Sequence, residues 1–172
     1  GIWFEHFLAS YKDVLYLDIA QGVSSSLLME GKPHVGATFA AGEMGHMLAG
    51  DEKRTCRCGK LDCLEAYCSI DAIRNDIKAV APQLGELATA GDIADAAVDN
   101  LVVANVLDRA MERLSSVLAV LVAYIDPEVI LLGNQDPRFY EAVVPFLKKH
   151  LLQRLRGFSN TELDIQIVPS AE

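Results

Sequence analysis

Apolar and polar residues alternate across Asp13–Ile19 (DVLYLDI), a run rich in Val, Leu, Tyr and Ile, which predicts a strand. Ser24–Glu30 predicts a second strand, closed by the turn pair Gly31-Lys32 and by Pro33, and the two pair antiparallel across Ala20–Val23. Ala40–Arg54 has no regular period, being interrupted by Gly42, Gly45 and Gly50, and predicts a loop. A helix opens near Leu64, and Ser69 is a suitable N-cap for another over Ile70–Val80, ending before Pro82. Asp92–Asn100 and Leu101–Ile125 form a long helical region, strongly apolar toward its end (LSSVLAVLVAYI) and stopped by Asp126-Pro127. Glu128–Leu132 is a short buried-strand run ending in Gly133, Arg138–Leu155 an amphipathic helix, and Leu163–Val168 a final alternating strand. Two adjoining strands, then helices, then strand–helix–strand indicate an α/β domain with a mixed sheet. A ligand in such a fold sits just beyond a strand's carboxyl end, which points to Gly133.

At 172 residues the chain has the length of one domain and can bury a core without disulfides. A net charge of −9 argues against gripping a nucleic-acid backbone unaided, because that requires clustered Lys and Arg. The longest apolar run, Val117–Ile125, falls far short of the roughly 18 residues of a membrane span. The opening GIWFEHFLASYKD has no basic region followed by an apolar run and no small-residue cleavage site, so a cytoplasmic protein is expected. Trp3, Phe4, Phe7 and Leu8 fall on a helical stripe at the very start. That reads as a helix continuing from a segment cut away, with a processed or engineered terminus as the plainer alternative.

Cys56-Arg57-Cys58-Gly59-Lys60-Leu61-Asp62-Cys63 packs three cysteines into eight residues, and Cys68 follows on the predicted helix. In an acidic cytosolic chain such spacing points to a metal before it points to disulfides. Three thiolates leave one corner of a tetrahedron, and His46, ten residues before Cys56, is the obvious donor for a Cys3His zinc site. Cys68 competes for that corner, or is a small apolar residue on a buried helix face. Free thiols or one redox pair are the plain alternative to a metal. A site closed by four protein ligands is structural, with no open position for chemistry. His6, His34 and His150 read as ordinary surface or core residues.

Ala41-Gly42-Glu43-Met44-Gly45-His46, followed by CRCGKLDCLEAY, resembles the ROK family of bacterial sugar kinases and sugar-responsive repressors. Members carry Gly-Glu-x-Gly-His, then Cys-x-Cys-Gly-x-x-Gly-Cys-x-Glu. Gly42, Glu43, Gly45, His46, Cys56, Cys58, Gly59, Cys63 and Glu65 match, and Asp62 stands where the family has its second glycine. The resemblance implies a ribonuclease-H/actin-like α/β lobe with a mixed sheet, flanking helices and a zinc-bound loop. It also implies that residues 1–172 are a single domain, the C-terminal larger lobe, without the upstream lobe, any winged helix-turn-helix or the family's closing helix. By the same resemblance Glu43 and Glu65 take the hydroxyls of a monosaccharide or sugar phosphate. His46 then holds zinc through one ring nitrogen and turns the other to a hydroxyl. Taken alone, each carboxylate reads more simply as a solvated group, Glu65 favouring a helix dipole. A homodimer, to which the helix at Leu101–Ile125 contributes, and DNA contact only through a domain missing from this chain are further implications.

Kinase members carry a Gly-Thr-Gly-Ile-Gly-x-Gly turn between the first two strands, where backbone N–H groups approach nucleotide phosphates. This chain reads Ala20-Gln21-Gly22-Val23-Ser24-Ser25-Ser26, keeping only Gly22, and later Gly133-Asn134-Gln135-Asp136, keeping only Gly133. Both glycines are vestiges of phosphate loops in this reading, no catalytic residue is assigned, and the repressor branch is nearest. The expected function is the sugar-sensing and dimerisation domain of a transcriptional regulator. An ATP-dependent, glucokinase-like sugar kinase with degenerate glycines is the alternative, and a scaffold with a dead sugar site a third.

Overall fold

The computed structural model describes residues 10–84, 86–133, 135–157 and 163–168. The aromatic stripe at residues 3–8, His6 and Asn134 lie outside them. β1 (Val14–Ile19) is the centre of a five-stranded sheet and turns Leu15, Leu17 and Ile19 to one buried face. It pairs antiparallel with β2 (Val23–Met29) and parallel with β4 (Val129–Leu132), which is buried along its whole length as an inner parallel strand should be. β5 (Asp164–Ile167) extends the parallel side, and β3 (Lys32–His34) closes the other edge, giving the order β3-β2-β1-β4-β5. The mixed sheet is as the sequence predicts, but β3 is not. Pro33 lies opposite Leu28 within it, which an edge strand tolerates because one of its sides needs no N–H donors.

The helices start where side chains can satisfy their first N–H groups. α1 (Glu65–Cys68) is one turn, and α2 (Ile70–Val80) follows on Ser69, whose hydroxyl accepts the Ala72 N–H at 3.1 Å. A capping box between Thr89 and Asp92 starts α3 (Ala90–Asp99) two residues before the predicted Asp92. The long helical region then breaks at Asn100, whose carboxamide oxygen accepts from Val102 and Val103 at 2.9 and 3.3 Å and opens α4 (Leu101–Ile125). Asp126 ends α4 in the left-handed region, and α5 (Pro137–Arg154) begins on an Asp136 cap with Pro137 in its first turn.

Val103, Leu107, Met111, Leu114 and Leu118 form a fully buried stripe on α4 at three- and four-residue spacing. The stripe belongs to one core with Leu15, Leu17, Ile130 and Leu132 of the sheet and Phe139, Val143 and Leu147 of α5. The opposite sheet face holds a smaller cluster of Val14, Leu28, Val129, Leu131 and Val168. His150 is largely buried, its Nε2 2.8 Å from Asp108 between α5 and α4, whereas His34 is exposed on β3. No helix among the described residues is long and apolar enough to cross a membrane.

Tyr140 ties the ends of β1 and β4 together from inside the core. Its hydroxyl donates to the Gly133 carbonyl at 2.7 Å and accepts the Ile19 N–H at 3.1 Å. Tyr140→Phe removes both bonds without opening a cavity. Urea unfolding should show a loss of about 1–3 kcal/mol at an unchanged m-value, because two buried backbone groups lose a partner. A variant as stable as the parent would contradict this bridging role.

Candidate metal centre and ligand site

The segment between β3 and α1 has little regular structure, and backbone bonds pin it at a few points. The Gly42 carbonyl accepts both the backbone N–H and the hydroxyl of Ser25 on β2, at 2.9 and 3.0 Å. A single 3-10 turn, Met44–His46, then presents the His46 ring. Two isolated bridges, Leu48 with Cys63 and Thr55 with Leu61, fold the cysteine loop back beneath it.

This brings His46, Cys56, Cys58 and Cys63 together, with their donor atoms all within 4.8 Å of one another. His46 Nδ1 lies 3.7 Å from Cys56 Sγ, and Cys58 Sγ lies 3.7 Å from Cys63 Sγ. Those sulfurs are unbonded. Two sulfurs bound at about 2.3 Å to one tetrahedral ion stand about 3.8 Å apart, so the spacing suits a shared metal. Burial, followed by the neighbouring thiols, pushes Cys63 up to about 12, and burial also raises Cys56. A cation offsets that penalty by stabilising thiolates. Cys68 is not in the group: it is fully buried and its S–H donates to the Ala110 carbonyl at 3.0 Å, as expected of a small residue on a buried helix face.

A second network anchors the loop to the helices. Tyr67 on α1 lies under two guanidinium groups, with Arg54 at 4.5 Å and Arg113 of α4 at 5.2 Å from its ring centroid. Arg54 also pairs with Asp76 of α2 at 2.9 Å. The Tyr67 hydroxyl donates to Asp62 and accepts the Glu52 N–H at 3.2 Å. Asp62 itself has φ +59°, a conformation open to glycine and tolerated by Asp when its short side chain is bonded locally. The Tyr67 hydroxyl and the Arg54 N–H, at 3.0 Å, supply those bonds, and they hold its carboxyl below the usual range.

The two candidate sugar carboxylates have different surroundings. Glu43 is exposed, with an oxygen 3.9 Å from His46 Nε2, the ring nitrogen turned away from the thiols. A cavity of about 330 Å3 opens beside it, lined by Ser25, His34, Met44, Met47 and Leu121 among others. Glu65, at the start of α1, is only 7% exposed and does not line that cavity. Arg57 grips it side-on, Nε to Oε1 at 2.7 Å and Nη2 to Oε2 at 3.1 Å, and the Val23 N–H approaches Oε2 at 3.4 Å.

Residues 3–169 match the ROK family. The chain belongs to that family. It is 25% identical over 176 residues to a xylose repressor from Caldicellulosiruptor bescii, covering 95% of this chain and 44% of that protein. It is 26% identical over 122 residues to an N-acetylmannosamine kinase from Vibrio cholerae, covering 71% of this chain and 42% of the kinase. The ROK chain therefore spans less than half the length of these relatives. Its fold is that of a ROK family transcriptional regulator homologous to the E. coli MLC protein (TM-score 0.82, 21% identity, 92% of this chain and 42% of that one). It is also that of a ROK glucokinase from Streptomyces griseus solved with glucose and AMPPNP (TM-score 0.76, 20% identity, 92% and 55%).

The ROK motif accounts for the four clustered side chains that could hold a metal and for both glutamates, but not for Arg57, Arg54, Tyr67 or Arg113. Arg57 reads in sequence as a solvated loop charge eight residues from Glu65, and Arg113 had no signal, being far away in sequence. The structure also shows what the glycines left in the two altered loops accommodate. A Cβ on Gly22 would stand 2.5 Å from Arg57 Nη2 and 2.7 Å from Glu65 Oε2, and one on Gly133 would stand 2.8 Å from the Tyr16 hydroxyl.

Asp62 offers a direct check on the loop. Asp62→Ala combines a strained positive φ with loss of the bonds to Tyr67 and Arg54, whereas Asp62→Gly loses only the bonds. Urea unfolding should rank Ala below Gly by about 1–2 kcal/mol. The reverse ranking would contradict the conformational argument.

Proposed function

We propose that residues 1–172 are a single domain, the larger lobe of a cytoplasmic ROK transcriptional regulator that senses a monosaccharide or sugar phosphate. Zinc is the ion we assign to His46, Cys56, Cys58 and Cys63. Three sulfurs and one imidazole are a borderline-soft, tetrahedral donor set that suits it, and with four protein ligands its role is structural. Fixing His46 through Nδ1 leaves Nε2 for the Glu43 side, where a ligand hydroxyl can bond to both. Glu43 and Glu65 accept further hydroxyl hydrogens in this reading.

The observation that carries the sensor reading is the occupancy of the two altered loops. The Tyr16 hydroxyl fills the space beside Gly133. Ala20, Gln21, Ser24 and Ser26 take the places of all but one of the residues a kinase uses to keep the first turn open for nucleotide phosphates, whether or not Arg57 covers Gly22. Similarity to a xylose repressor over 95% of the chain supports the same side. With a net charge of −9, contact with DNA is assigned to a segment outside residues 1–172. A homodimer is supported by the apolar C-terminal half of α4, which leaves Val120 60% and Tyr124 91% exposed.

The second reading is an ATP-dependent sugar kinase, favoured by the similarity to N-acetylmannosamine kinase. Calorimetric titration of the full-length protein with D-xylose, D-glucose and N-acetyl-D-mannosamine, beside an ADP-release assay, separates the two. The sensor reading expects binding of one sugar, weakened at least tenfold in Glu43→Gln, with no sugar-dependent ADP release. Turnover near a typical enzyme's ~10 s⁻¹ would contradict it.

A further inference from the structure

We infer that Arg57 is a tethered competitor for the effector: its guanidinium holds Glu65, and a polyol reaches that carboxylate only by displacing it. The inference rests on the proposed sugar role of Glu65 and adds the residue that sets the strength and consequence of binding.

Glu65 is nearly buried and both of its oxygens are engaged. Arg57 holds them side-on at 2.7 and 3.1 Å, the Val23 N–H stands 3.4 Å from Oε2, and Cys56 Sγ stands 3.7 Å from Oε1. Little acceptor capacity is left on this carboxylate for a pair of sugar hydroxyls. A carboxylate at this depth is stable only with a compensating partner, which Arg57 provides when no ligand is present. Arg57 itself is 65% exposed, so releasing its head group into water is inexpensive. The asymmetry makes the arginine the mobile half of the pair and the glutamate the fixed half.

The backbone of Arg57 lies between Cys56 and Cys58, two donors of the metal cluster, so a bound ion restrains its main chain while its side chain remains free to swing. The guanidinium paired with Glu65 covers Gly22 in the turn between β1 and β2, where a Cβ would meet Nη2 at 2.5 Å. Displacement therefore uncovers that turn. Occupancy of Glu65 is thus relayed to the end of β1, and the two states differ in which group bonds the carboxylate, as an effector with unequal affinity for them requires.

The test uses the full-length protein titrated with D-xylose, D-glucose, N-acetyl-D-mannosamine and N-acetyl-D-glucosamine. Arg57→Ala should bind the responsive sugar about threefold to tenfold more tightly than the parent, the range expected for removing a half-exposed, two-pronged ion pair, with Arg57→Lys between them. In the unmutated protein, saturating sugar should increase the rate at which phenylglyoxal modifies Arg57, read by peptide mass spectrometry. That readout stands even if the variants fail to fold. Sugar binding with unchanged or weaker affinity in Arg57→Ala, or with an unchanged or slowed modification rate, overturns the competitor role and leaves the sugar site standing. If Glu65→Gln binds the sugar as the parent does, the assignment of Glu65 falls. If no sugar binds parent or variants, both fall together.

Discussion

One imidazole and three sulfurs converge on a volume the size of a single ion, and the proposed ligand site is built around that point. The chain from β3 to α1 has almost no secondary structure of its own and few apolar residues directed into the core. A metal shared by His46, Cys56, Cys58 and Cys63, as proposed, would fix both ends of that loop at once. It would hold the free side of His46 toward Glu43 and keep Arg57 opposite Glu65, as they stand in the structure. Without such a clamp the carboxylates would be separate surface and helix-end groups with no reason to share a ligand.

The clamp needs a rigid base, and the sheet and α4 provide it. β1 lies at the centre of both the antiparallel and the parallel pairings, and α4 is buried along five successive turns against the same sheet face. Arg113 extends from α4 and Arg54 from the loop to the single Tyr67 ring, while Asp76 joins from α2. The metal loop is therefore tied to three separate helices through one aromatic side chain. Cation–ring contacts suit this junction because they keep the guanidinium edges free for further hydrogen bonds.

Much of this was legible in the sequence, for reasons that differ by element. β1 and β5 alternate, β4 is a continuous apolar run, and Ser69 is a recognisable cap, so local patterns located them. β3 was missed because Pro33 reads as a terminator unless its position at an edge is known. The sequence divides Asp92–Asn100 from Leu101–Ile125 at the position where the chain breaks, but the cap that makes the break depends on the Asn100 side chain bonding two N–H groups. The clustering of His46, Cys56, Cys58 and Cys63 was legible because three of the four lie within eight residues. The Arg57–Glu65 pair and the Tyr67 junction were not, because each charge taken singly looks like a solvated surface group. Asp62 illustrates the difference: in sequence it is a departure from a glycine motif, and in the structure it is a left-handed residue stabilised by Tyr67 and Arg54.

Everything proposed for residues 46–63 requires one zinc ion among His46, Cys56, Cys58 and Cys63. Anomalous diffraction from crystals of the protein, collected on both sides of the zinc absorption edge, tests it most directly. One strong peak per chain is expected at the centre of His46 Nδ1 and the three sulfurs, at about 2.3 Å from each sulfur and about 2.0–2.1 Å from the nitrogen. No peak there, or Cys58 and Cys63 joined in a disulfide, would contradict it.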